Sequence, residues 1–101
     1  MGLFGRSKKK NMEPIALKAL LSAEEIELLV TELRTTASRV PGETSAIMSA
    51  MADTIEEGAA IPFQQGLDLC VSAISMNEAF HEAKSGSREL AQKIEMIRKQ
   101  G

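Results

Sequence analysis

The step Glu78-Ala79-Phe80-His81 is the place where this sequence comes nearest to chemistry. On a helix, a carboxylate and an imidazole three residues apart share one face. Bundles that hold two metal ions use two such steps together with two further glutamates. The chain has a single histidine, so one subunit cannot supply both halves, whereas a two-fold dimer can. The missing carboxylates would have to come from Asp53, Glu56 or Glu57, next to Gly58, where the pattern ends a helix. A dimeric metal-carboxylate bundle is therefore one alternative reading, and a solvated His81 between Glu78 and Glu82 is the simpler one. Cys70 stands eleven residues before His81, roughly 16 Å along a helix rising about 1.5 Å per residue. The two cannot form a nucleophile–base pair within one chain. With Leu69 and Val71 beside it, Cys70 reads as a small buried apolar residue. No nucleophile elbow, phosphate-cradling glycine loop or zinc spacing occurs, so the expectation is a non-enzymatic protein with no catalytic residues, no cofactor and no metal site.

Charge carries more information than any motif. Residues 1–10 hold Arg6, Lys8, Lys9 and Lys10 and no acid. Residues 11–83 hold 12 of the 14 acidic side chains against Lys18, Arg34 and Arg39, a net of −9, and residues 84–101 return to +3. The overall charge of −2 thus conceals a cationic leader on an acidic body. The leader lacks the apolar stretch of a secretory signal, and no run reaches the roughly 18 apolar residues of a membrane span. A lone cysteine makes no internal disulfide, which points to a reducing compartment, and the expected location is cytoplasmic. Leu3 and Phe4 followed by Arg6 and Lys8, Lys9 and Lys10 suit contact with an anionic membrane surface, with an acidic protein, or simply with solvent.

The elements that must position these groups are helical throughout. Residues 1–12 offer nothing to nucleate a core and read as a disordered basic leader; residues 13–101 read as a single helical domain. Pro14 suits a first helical turn, followed by the apolar Ile15, Leu17, Leu20 and Leu21. Ser22 and Glu25 form a capping box. Ile26, Leu29, Val30, Leu33, Ala37 and Val40 then recur at helical spacing until Pro41-Gly42. Thr44 or Ser45 can cap a second long helix carrying Ile47, Met48, Met51 and Ile55, which Gly58 ends. The stretch from Pro62 to Phe80 carries Leu67, Leu69, Cys70, Val71, Ala73, Ile74, Met76, Ala79 and Phe80 around nearly its whole circumference, and such a helix is expected to be surrounded. Ser85-Gly86-Ser87 marks a turn or kink before a last helix with Leu90, Ile94 and Ile97 on one face. No strand alternation appears. The expected fold is all-α, a small bundle of four to five helices completed by dimerisation, with Leu69, Met76 and Phe80 at the dimer interface.

These features favour a binding role. Residues 23–57 have a helix–turn–helix outline, but the second helix presents Asp53, Glu56 and Glu57 without a lysine or arginine. A polyanion repels that surface, so sequence-specific nucleic-acid recognition is not expected. The reading that remains is an adaptor or inhibitor that meets a basic surface of another protein through Glu24, Glu25, Glu27, Glu56 and Glu57. A membrane-peripheral module anchored by the leader is the alternative from another class.

Overall fold

The chain is described over residues 13–100 in a computed structural model. After a single 3-10 turn, Leu17–Ala19, four helices follow: α1 (Ala23–Ala37), α2 (Gly42–Glu57), α3 (Phe63–Ala79) and α4 (Ser87–Gln100). The fold is all-α; the single extended contact among the described residues is an isolated antiparallel bridge, Ile15 to Ile61. Their two N–H···O=C bonds, each 2.8 Å, tie the entry segment to the α2–α3 connection. No described helix is long and apolar enough to cross a membrane.

α1 is the central element. It packs on α2, α3 and α4, while α3 also packs on α4. Its position follows from its sequence, because Ile26, Leu29, Val30, Leu33, Thr36 and Ala37 are all buried, a stripe wide enough to serve three neighbours. Ser22 starts it: its hydroxyl accepts from the Glu25 N–H at 3.1 Å and the Glu25 carboxylate accepts from the Ser22 N–H at 2.8 Å. That satisfies two of the donors a helix start leaves open. The helix stops at Ala37, and Val40 lies in the turn beyond it.

Four local expectations are corrected. Pro14 opens no helix, because Ile15 is held extended by its bridge to Ile61. Neither Thr44 nor Ser45 caps α2, which begins at Gly42 after Pro41; the Ser45 hydroxyl instead donates to the Ala37 carbonyl at 2.6 Å, closing the end of α1. His81 lies past the end of α3 with φ of 60°, so Glu78 and His81 do not share a helical face. The fourth concerns α3, which is not apolar all round. Gln64, Asp68, Ser72 and Ser75 recur at helical spacing on its exposed side, with Gln65 beside them. The polar residues interleaved with the apolar run supply one solvent face. α2 ends as expected at Gly58, whose φ of 87° is the left-handed cap that glycine adopts freely.

One core packs the bundle. Leu17, Leu29, Leu33, Ile55, Ile61, Leu67, Ile74 and Ile94 are essentially inaccessible, with Met48 buried and Met51 half-buried against them. Gly66 sits under Ile61, where a Cβ would come within 2.8 Å of Cδ1, 3.0 Å of Cγ1 and 3.2 Å of Cβ. That approach lets the bridge strand lie flat against the first turn of α3.

Candidate functional site

The acidic residues singled out in the sequence fall on adjoining elements. Glu24 and Glu27, three residues apart on α1, are exposed on one face, and Glu25 is partly covered beside them. Glu56 and Glu57 are exposed at the end of α2. Two open surface grooves flank the α1 face. One, of about 610 Å³, runs between Glu24, Glu27, Leu28 and Thr31 and the Lys84–Gly86 turn. The other, of about 530 Å³, runs between Glu24, Glu27, Val30 and Thr31 and the side chains of Lys18, Arg34 and Glu56.

The five glutamates are not equivalent. Glu25 accepts from the Ser22 N–H and is bridged by the Lys93 ammonium at 3.0 Å. The backbone bond first, and the Lys93 hydrogen bond second, hold its carboxyl below the usual carboxylate range. Glu56 pairs with Arg34 at 3.0 Å, as does Asp53, and its carbonyl accepts from Lys18 Nζ. Glu24, Glu27 and Glu57 form no ion pair with any of the described residues. Among the described residues, they are the members of the group left without a cationic partner.

The residues assigned to dimerisation differ in exposure. Leu69 is half-buried against the core of its own chain, Met76 is half-buried, and Phe80 is 56% exposed. The Arg39 guanidinium lies 5.1 Å from the Phe80 ring centroid and pairs with Glu82. Leader residues Leu3, Phe4, Arg6, Lys8, Lys9 and Lys10 lie outside the described residues. The Glu78 carboxylate pairs with Arg88 at 3.3 Å, and no cluster of three metal-ligating side chains occurs among the described residues. Cys70 is fully buried, and burial pushes its thiol up to about 12, far from the reactive range.

Sequence reading missed a buried polar cluster. Glu32, Thr36, Asn77 and Ser87 are all inaccessible. Glu32 Oε1 accepts from Asn77 Nδ2 at 2.6 Å, and Oε2 accepts from the Lys84 N–H at 2.7 Å and the Ser87 hydroxyl at 2.6 Å. The Asn77 amide also donates to the Glu32 carbonyl at 3.0 Å, and its Oδ1 accepts from Thr36. One carboxyl on α1 thereby holds the end of α3 and the start of α4. A signal existed: Glu32 and Thr36 sit at helical spacing on the stripe of Leu29 and Leu33, and Asn77 continues that of Cys70, Ala73 and Ile74. Polar residues on a buried face find partners there.

Comparison of the chain with protein-family models, curated proteins and solved structures finds no match in any of the three.

Proposed function

We propose that this protein is a non-enzymatic interaction module, an adaptor or inhibitor, whose α1 face engages a basic surface of another protein. The observation that carries this reading is the placement of Glu24 and Glu27. They stand side by side on exposed helix between two grooves, free of ion pairs from the described residues, with Glu57 likewise free on the neighbouring α2. Carboxylates on a rigid helix need no reordering to meet an incoming cation, and a net negative body speeds the encounter. Glu25 and Glu56 serve the fold first, through the α1 cap and the Arg34 pair, and border the surface. The reading includes cytoplasmic residence and self-association of the chain.

The test is capture from the native cell with the full chain as bait, run beside the triple variant Glu24→Gln, Glu27→Gln, Glu57→Gln. A discrete basic protein held by the wild type at low salt, and lost both at high salt and from the variant, supports the reading. Capture indifferent to salt and to the substitutions removes the acidic face as the binding surface.

A further inference from the structure

We infer that residues 1–12 of this chain dock in cis in the groove between α1 and the end of α2, lying beside Glu24 and Glu27. The path of the chain, the balance of charge and the lining of the groove each support this occupant.

The path comes first. Ile15 is fixed to Ile61 by two backbone hydrogen bonds of 2.8 Å, and the 3-10 turn Leu17–Ala19 packs on both α1 and α2. The Lys18 side chain itself lines the groove of about 530 Å³ and donates to the Glu56 carbonyl at 3.1 Å. Ile15 and Lys18 are separated by at most about 11 Å of chain, so residues 1–12 are tethered beside this groove. Lys10 stands five residues before Ile15, a reach of at most about 18 Å. Along α1 the groove runs from Ala23 to Arg34, about 17 Å of helix. The groove on the other flank of α1, beside Lys84–Gly86, is lined by no residue of the entry segment.

Charge complementarity is the second support. Residues 13–100 carry 14 acids and eight bases, a net of −6, whereas residues 1–12 carry four bases and no acid. The two bases lining the groove are already engaged, Arg34 with Asp53 and Glu56, and Lys18 with the Glu56 carbonyl. Glu24 and Glu27 have no cationic partner among the described residues. Arg6, Lys8, Lys9 and Lys10 supply cations from the same chain, attached at the right end of the bundle.

The lining is the third. Ala23, Ile26 and Val30 place apolar surface between the charged side chains, and residues 1–12 likewise combine Leu3 and Phe4 with their four cations. Exposed ion pairs hold little individually. A tethered segment nevertheless meets its site at an effective concentration in the millimolar range, so contacts too weak for a free peptide suffice. An external basic protein must displace this segment before it reaches Glu24 and Glu27. The inference concerns the chain alone and stands whether or not such a protein binds there.

The experiment uses the full chain, prepared unlabelled and uniformly nitrogen-15 labelled. The two preparations are mixed in equal amounts at low salt and treated with a water-soluble carbodiimide, which condenses a lysine amine with a touching carboxylate. Mass spectrometry of the digest should find Lys8, Lys9 or Lys10 joined to Glu24 or Glu27 within chains of one isotope. These links should fall roughly fivefold at high salt. In parallel, amide spectra are compared for the wild type and the full-length variant Arg6→Gln, Lys8→Gln, Lys9→Gln, Lys10→Gln. The amides of residues 23–31 should shift, and raising the salt should move the wild type toward the variant. Links confined to the adjacent Glu13, or spread without preference over Glu43 and Asp68, overturn the inference. Links that join chains of different isotope place the segment on another molecule and overturn the docking in cis. Amides of α1 that are identical in wild type and variant overturn it equally.

Discussion

Glu32 shows how a single side chain can organise a fold from inside. Its carboxyl is inaccessible and accepts from an amide, a hydroxyl and a backbone N–H, all of them neutral donors. Glu32→Gln keeps the shape but turns an NH2 toward at least one donor. A buried donor without an acceptor costs about 1–3 kcal/mol, and a loss of that size in urea unfolding is the expected outcome. Gly66 sets two effects against each other. Gly66→Ala gains up to about 1 kcal/mol of helix propensity, but the new Cβ meets three atoms of Ile61, whose backbone is fixed by its bridge to Ile15. Overpacking costs about 1–3 kcal/mol, so a net loss of about 1 kcal/mol is expected by the same assay. At this scale the sequence is only partly legible. Cys70 as a buried apolar residue follows from its neighbours. The partners of Glu32 lie 45, 52 and 55 residues away, and no local pattern encodes such distances.

Elements are far more legible than their contacts. The Ser22–Glu25 box and the Gly58 stop are local devices found where their spacing places them, and the stripe begun at Ile26 is helical to Ala37, short of Val40. The errors have local causes too. The apolar run of α3 conceals Asp68, Ser72 and Ser75 on its solvent side, and the turn after Ala79 takes His81 off the helix that the Glu78–His81 spacing assumes. Glu25 joins two elements, since it completes the α1 cap and pairs with Lys93 of α4. Its carboxyl is held below its ordinary value of 4.5. The folded state therefore binds a proton there less readily than the unfolded chain. The stabilisation is fully present above the ordinary value and fades as pH falls through the lowered one. Unfolding of wild type and Glu25→Gln between pH 7 and pH 3 should show the wild-type advantage shrinking toward the acid end. A constant difference across that range means that the charge of Glu25 does not matter.

Across the whole molecule, charge segregates along the chain and is partly reunited by folding. The acidic α1 meets its own basic α4 through Glu25 and Lys93, and the acidic α3 does so through Asp68 with Arg98 and Glu78 with Arg88. Exposed ion pairs contribute only about 0–1 kcal/mol each, so these set register while the apolar core holds the helices together. Among the acidic residues of the proposed surface, Glu24, Glu27 and Glu57 form no ion pair with the described residues, and the proposed function rests on them. The fold class and the segregation of charge are readable from residue order alone. Which carboxylates stay free is not, because that depends on which helices folding brings side by side. The most direct measurement is the equilibrium affinity of the isolated captured protein for the full chain and for the Glu24→Gln, Glu27→Gln, Glu57→Gln variant, across a salt series. The account predicts roughly tenfold or greater weakening of the wild type as salt is raised into the screening range, with a weaker and flatter dependence for the variant. Equal affinities with the same salt dependence would contradict it.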